Sequence, residues 1–299
     1  MIVENKPFIL IIGVQKAGTT SIHKLISNQV EVSLPKIKET HFYSNQENFN
    51  KGIDWYLNQF DIRRNIMCEV DPSYFFYQDS AKWINDTIKN PKFIILFRRP
   101  IERALSHYLM SYYKGYEDLS FIDALEAESK RLKNDQNNFS LINHSYIERG
   151  NYSAQLNRYL TKFDKSNFLF IKFEDLISRK NTKETINAIF EFIGINNKNK
   201  DIKIDQKNKK KKIKHEFIRD LLYKDNIIRN TIKKIVPSNL LRIRLKEMIN
   251  YLNSINYNNN DEFTNHILNS IPNKYFIWNN EQSELLREMT NLDIDDWIY

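Results

Sequence analysis

Cysteine and glycine are the scarce residues of this chain. A single cysteine in 299 residues, Cys68, excludes an intrachain disulfide, and with it a secreted framework stapled by disulfides. Cys68 lies in the apolar run IMCEV and reads as a buried small side chain. The six histidines are scattered, with no pair at helical spacing, so the sequence offers no metal site. Long apolar runs are missing too. The N-terminal one is only about seven residues, too short to span a bilayer. It follows MIVENKP, which has neither a basic leader nor a cleavage site. A cytoplasmic protein with no stable membrane insertion is the expectation.

The rest of the composition is that of a folded protein. Hydrophobic residues make up 41% and aromatic residues 13%, enough for a full core in one domain over 1–299, or at most in two small ones. The net charge of +8, from 45 basic and 37 acidic residues, suits an anionic ligand and would also suit nucleic acid.

Four short apolar runs read as strands: FILIIG (8–13), IMCEV (66–70), KFIILF (92–97) and NFLFIKF (167–173). They lack strict alternation, as parallel strands covered on both faces do. Helical periods fill 19–29, 77–89, 100–114 and 152–163. This alternation predicts an α/β fold with a central, mainly parallel sheet flanked by helices on both faces. A helical insertion is expected over about 115–150, a basic loop over about 196–214, and a helical C-terminal part over 215–299, closed by the apolar anchor LDIDDWIY.

In such a sheet the ligand sits beyond the carboxyl ends of the strands. After the first strand comes GVQKAGTT. Six glycines stand where an average near ~7% gives about twenty, and two of the six, Gly13 and Gly18, fall in this loop. Their spacing is that of the phosphate-binding loop Gly-x-x-x-x-Gly-Lys-[Ser/Thr], yet Thr19 occupies the lysine position and the lysine, Lys16, comes three residues early. The following helix turns its free N–H groups toward an anion, and Thr19 and Thr20 add hydroxyl donors. After the third apolar run the chain reads RRPIERALSHY. Arg98 and Arg99 stand at a strand end, Pro100 opens a helix, and Ser106 lies about two turns into it. This is a second anion site.

Two anion sites on one sheet describe a nucleotide with two separate anionic ends. The chain here resembles the sulfotransferases that use 3′-phosphoadenosine 5′-phosphosulfate (PAPS), in motif style those acting on heparan sulfate and other glycans. GVQKAGTT resembles the family's GVxKxGTT, and RRPIERALSHY its RxPxERAxSxY. KETHFYS (38–44) is similar to KExHFF, and KGIDWYLNQF (51–60) to xGxxWYxxxF. EVDPSYF (69–75) is similar to ExTPxYF, with Asp71 in place of the usual threonine. RGNYSAQLNRYLTKF through LFIKFEDL (149–176) is similar to xGxYxxxLxxWxxxF…EDL.

The resemblance implies a P-loop-like sulfotransferase fold and transfer of a sulfuryl group from PAPS to a hydroxyl or amine. It implies that Gln15, Lys16, Ala17, Gly18, Thr19 and Thr20 hold the 5′-phosphosulfate. Arg98 and Ser106 take the 3′-phosphate, and Tyr152 joins the nucleotide site. Lys211 and Lys212, in the basic run 207–214, are candidates to close over the nucleotide. The product is adenosine 3′,5′-bisphosphate, and no metal is required. The acceptor is a carbohydrate first, then a small natural product or lipid-linked molecule, with specificity carried by loops 43–65 and 115–150.

The chemistry explains the displaced lysine. A phosphosulfate is shorter than a triphosphate, and Lys16 at the loop's crown meets its bridging oxygen, where charge grows. Glu39, matching the family's catalytic glutamate, is the first choice of base, and His41 the second. His23 and His107 read as structural; Trp55 and Tyr56 read equally as sugar platforms or core. A P-loop kinase needs a lysine at position 19 and an acidic strand end for Mg²⁺, and the sequence reads as having neither. A nucleic-acid-binding module needs aromatics among its basic residues, whereas 207–214 holds only Lys, Asn and Ile.

Overall fold

The computed structural model describes residues 6–135, 138–195, 211–213, 218, 249, 254–256 and 267–299. In chain order its elements begin β1 (Phe8–Gly13), α1 (Thr19–Ser27), β2 (Val32–Ser33), α2 (Gln46–Phe49), α3 (Ile53–Leu57) and β3 (Ile66–Val70). Next come α4 (Ser73–Phe76), α5 (Ser80–Thr87), β4 (Lys92–Phe97), α6 (Pro100–Tyr113), α7 (Phe121–Lys133) and α8 (Phe139–Asn143). They end with α9 (Tyr152–Leu160), β5 (Phe168–Lys172), α10 (Phe173–Ile177), α11 (Thr182–Ile193), β6 (Lys211–Ile213), β7 (Ser254–Asn256) and α12 (Asn273–Thr290).

Five strands form one sheet in the order β2-β3-β1-β4-β5, and every neighbouring pair is parallel. All residues of β1 and β3 are buried, which is why their sequences are near-continuous apolar runs. The four strands read from sequence are present; β2, two residues long, carries no periodic signal. Helices cover the sheet with period-3.6 apolar stripes, Ile22, Leu25 and Ile26 in α1 and Ile186, Ile189, Phe190 and Ile193 in α11.

The strand order reverses at β1, which lies between β3 and β4. The carboxyl end of β1 is therefore the topological switch point, where open α/β sheets bind ligands. Register brings three chain segments out at that edge. Ile11 aligns with Val70, Gly13 with Ile95, and Phe97 with Lys172, while the Val14 N–H donates to the Leu96 carbonyl at 2.7 Å. The glycine loop, Asp71 and Arg98 follow directly from those ends.

The chain forms two compact units. The first takes in the described residues of Met1–Arg103, Arg149–Gln206 and Ile277–Tyr299; the second takes in those of Ala104–Glu148 and Lys207–Phe276. In the first unit the expected C-terminal anchor is present: Trp297 is fully buried and its carbonyl accepts from Asn279 Nδ2 at 2.7 Å. In the second, buried Glu117 pairs with Arg131 and accepts from the Tyr146 hydroxyl at 2.9 Å. Helices α7 and α8 lie within 115–150. The segment read as a basic loop departs from that reading at 211–213, which pair antiparallel with 254–256 inside the part expected to be helical. Lys-rich strands lack the alternation that signals a strand. The rest of 196–210 lies outside the described residues.

Gly13 packs so closely that a Cβ there would stand 2.8 Å from Phe75 Cβ. Gly13→Ala is expected to cost about 1–3 kcal/mol, read as a fall of several degrees in the thermal midpoint. An unchanged midpoint would contradict this packing.

Candidate active site

The loop leaving β1 ends at Gly18, whose φ of 85° is left-handed and whose Cβ, were there one, would lie 2.9 Å from the Phe173 ring. Both facts demand glycine. The Gly18 carbonyl accepts from Ser21 N at 2.9 Å and Ile22 N at 3.2 Å, starting α1 without a side-chain cap and without an acidic residue in the first turn. The leading N–H groups and the positive end of the helix dipole face the loop's concave side unopposed. Ala17 and Thr19 are buried, Thr20 is exposed, and Gln15 and Lys16 are half-buried. Gln15 Oε1 is buried without a hydrogen-bond partner among the described residues.

Arg98 reaches back from the end of β4. Its Nη1 donates to the Lys16 carbonyl at 3.3 Å, its Nη2 pairs with Glu102 at 3.3 Å, and its guanidinium lies 5.0 Å from the Phe173 ring centre. Phe173 thus packs against Gly18 and beneath Arg98 at once. Tyr152 is fully buried, and its hydroxyl donates to the Arg98 carbonyl at 2.8 Å, so it steadies the backbone of the arginine. Arg99 does not share the site. It pairs with Glu102 at 2.8 Å, donates to the Asp296 carbonyl, and stacks on Tyr299 at 5.3 Å. The two arginines read together from sequence have different partners, because the C-terminal segment claims one of them. Ser106 is half-buried on α6 and belongs to the second unit, as do Lys211 and Lys212 on β6.

Across from the glycine loop runs the segment 38–41. Lys38 Nζ lies 3.5 Å from Thr20 Oγ1 and 3.3 Å from Glu39 Oε1, so one ammonium ties Glu39 to the start of α1. The two fully buried carboxylates at the end of β3 hold this segment. Glu69 accepts from Thr40 N at 3.0 Å and from the hydroxyls of Tyr56 and Tyr74 at 2.6 and 2.8 Å. Asp71 accepts at Oδ2 from His41 N at 2.9 Å and meets His41 Nδ1 at 3.1 Å; its Oδ1 accepts from Ser73 N at 3.0 Å. Burial and the neighbouring Asp71 push the Glu69 carboxyl up to about 7, against its hydrogen bonds. The hydrogen bond that His41 donates to Asp71 raises His41 above its ordinary value against the cost of burial, and the charges of Asp71, Glu39 and Glu69 add to the rise.

Asp71 was legible only as a departure from the family pattern. It is an acidic strand end, of the kind a magnesium nucleotide site requires, and so corrects the expectation that none exists. Both its oxygens are occupied by His41 and Ser73. Tyr56 is entirely in the core, which settles it as packing; Trp55 lies 6.1 Å from Phe42 with Lys51 over its ring. His107 is buried, bonded to the Ile142 carbonyl at 3.2 Å, and His23 is lowered by burial and by Lys38.

The backbone singles out the same residues. Six non-glycine residues among those described have positive φ: Lys16, Glu39, His41, Asn90, Asn138 and Asn291. Asparagine and histidine tolerate this region; lysine and glutamate adopt it at a cost and do so chiefly where surroundings enforce it. The three residues chosen from sequence as catalytic candidates are the three of the six that are not asparagine. Among the described residues no cluster of three or more His, Cys, Asp or Glu is placed to hold a metal ion, and no helix is long and apolar enough to cross a membrane.

Known proteins share the pattern. The sulfotransferase domain family matches residues 6–220. Human heparan sulfate glucosamine 3-O-sulfotransferase 5 is 33% identical over 109 residues, 36% of this chain and 31% of that protein. Mouse heparan sulfate glucosamine 3-O-sulfotransferase 3B1 is 29% identical over 174 residues, 58% of this chain and 42% of that protein. Human bifunctional heparan sulfate N-deacetylase/N-sulfotransferase 2 is 28% identical over 211 residues, 63% of this chain and 22% of that protein. The matched regions thus span less than half the length of these relatives. The crystal structure of a sulfotransferase from Alicyclobacillus acidocaldarius superposes with a TM-score of 0.58 at 23% identity, over 80% of this chain and 99% of that one, and shares the fold.

The strained positions are testable by comparing two truncations at one site. Lys16→Gly is expected to be more stable than Lys16→Ala by about 1 kcal/mol, the reverse of the order at an ordinary position. Equal midpoints, or a more stable alanine, would contradict a left-handed Lys16.

Proposed function

The chain belongs to the sulfotransferase family, and from that premise we propose that it transfers a sulfuryl group from PAPS to a hydroxyl or amine, on a carbohydrate in the first instance. One observation carries the reading. An uncapped helix N-terminus with no acidic residue in its first turn faces a loop whose lysine sits at the crown, and that lysine's own carbonyl is held by Arg98 at 3.3 Å. The donor set is peptide N–H, hydroxyl, ammonium and guanidinium, which fits a nucleotide with a phosphosulfate at one end and a phosphate at the other. PAPS, when bound, supplies an activated sulfuryl group on a phosphate leaving group.

The chain's own groups divide the remaining work. The first N–H groups of α1 and the hydroxyls of Thr19 and Thr20 bind the anionic end. Gln15, Ala17 and Gly18 complete the cradle with backbone and amide. Lys16 stabilises the negative charge that grows on the bridging oxygen, which is why it stands three residues before the position of a nucleotide triphosphatase lysine. Arg98 binds the 3′-phosphate, supported by Tyr152; Ser106, Lys211 and Lys212 are assigned to the nucleotide by the resemblance alone. Glu39, tied by Lys38 to Thr20, takes the proton of the acceptor. The relatives named above include both O- and N-sulfotransferases, so hydroxyl and amine acceptors both belong in the test. Small natural products and lipid-linked sugars follow carbohydrates as acceptors.

Incubation with ³⁵S-labelled PAPS and a panel of glycans and hydroxylated or amino metabolites tests this directly. Label is expected in at least one carbohydrate acceptor, and Lys16→Ala is expected to lower kcat by about 10²–10³. Wild-type turnover in Lys16→Ala would overturn the role of the lysine, and label in no acceptor would overturn the activity.

A further inference from the structure

The Asp71–His41 pair has no role in the chemistry assigned so far, and its geometry is specific. Asp71 is wholly buried; His41 is half-exposed at left-handed φ on the segment that also carries Glu39. The same Asp71 oxygen receives the His41 backbone N–H at 2.9 Å and faces Nδ1 at 3.1 Å. The carboxylate therefore fixes both the peptide and the ring. The other contact to the ring is Ser44 Oγ, 3.4 Å from the same Nδ1. Nε2, on the opposite side of the ring, has no partner among the described residues.

A carboxylate that faces Nδ1 makes that nitrogen the one that carries the proton, and in the neutral ring leaves the lone pair on Nε2. The second Asp71 oxygen is taken by Ser73 N, so the carboxylate cannot turn away. Glu39, Glu69 and Asp71 are the charged groups that act on His41. Around Asp71 stand Glu69, the buried guanidinium of Arg149, and the hydroxyls of Tyr74 and Tyr159.

We propose that Asp71 is a positioning residue that holds His41 in its Nδ1–H form, so that Nε2 accepts a hydrogen bond from a non-reacting O–H or N–H of the acceptor and aligns the reacting group beside Glu39. This rests on the sulfuryl-transfer reading above. It assigns to Asp71, at the site where the resembling family carries threonine, a specificity role in this chain. No proton changes hands in the step: Nε2 accepts a hydrogen bond, and the proton lost on transfer goes to Glu39. Acceptor binding then requires neutral His41, and it weakens as pH falls through the raised His41 value.

Nitrogen-15 NMR of imidazole-labelled wild-type protein tests the pairing without any variant. The neutral His41 ring is expected to be the Nδ1–H tautomer, and an Nε2–H ring would overturn the proposal. Acceptor kinetics with Asp71→Asn and Asp71→Thr then test the role. In both, KM for the acceptor is expected to rise about tenfold with kcat changed much less. The acid limb of kcat/KM is expected to move to lower pH, since loss of the carboxylate lowers His41. A merely structural Asp71 would lower kcat, KM and stability without moving that limb, and an unmoved limb would overturn the proposal. A wild type that transfers label to no acceptor overturns the proposed function itself. A wild type that transfers it with an Nε2–H ring overturns only the role of Asp71.

Discussion

Two buried carboxylates at the end of one strand organise the reactive side of this molecule. Glu69 is the penultimate residue of β3, and Asp71 follows directly after its last residue, Val70. Each captures one consecutive backbone N–H of the facing segment, Thr40 and His41, at 3.0 and 2.9 Å. Burying such groups is costly unless they are bonded, and the hydroxyls of Tyr56 and Tyr74 complete the satisfaction of Glu69. The segment that carries Glu39 is thereby tied to the sheet whose neighbouring strand, β1, carries the glycine loop. Lys38 closes the circuit to Thr20 at the head of α1. The Asn48 amide adds to this clamp by donating to the Thr40 carbonyl at 3.0 Å, between the left-handed residues Glu39 and His41.

The glycine loop meets the opposite demand. Its positive potential comes from peptide N–H groups, one lysine and one arginine rather than from a stack of cations. Arg98 supports the loop from below through the Lys16 carbonyl, and Tyr152 supports Arg98 through its own carbonyl. The chain of support runs from core tyrosine to strand end to loop crown. Arg99 is instead engaged by Glu102, the Asp296 carbonyl and Tyr299, so the C-terminal segment gives the two adjacent arginines different partners.

Much of this was legible in sequence, and for identifiable reasons. Strands β1, β3 and β4 have the read bounds because burial on both faces leaves uninterrupted apolar runs. The loop was legible because glycine is rare here and Gly18, at φ 85° and close against the Phe173 ring, has a place that favours glycine. Lys16, Glu39 and His41 stood out by chemistry, and the backbone marks the same three. What was hidden depends on partners far along the chain. Arg99 and Asp296 are 197 residues apart, and Asp71 meets His41 across a gap of 30. No local pattern carries such pairings. Asp71 registered only as a break in a motif, and β2 and the β6–β7 pair were too short or too basic to register at all.

The central claim is that this site is built for a nucleotide with two separate anionic ends, held by N–H groups and cations. Isothermal titration of the full chain with adenosine 3′,5′-bisphosphate in excess chelator tests it most directly, with ATP as the competitor. The account predicts saturable binding without divalent cation, weakened at least tenfold in Arg98→Ala, and poor competition by ATP. Binding that appears only when Mg²⁺ is restored, or that favours ATP, would contradict it.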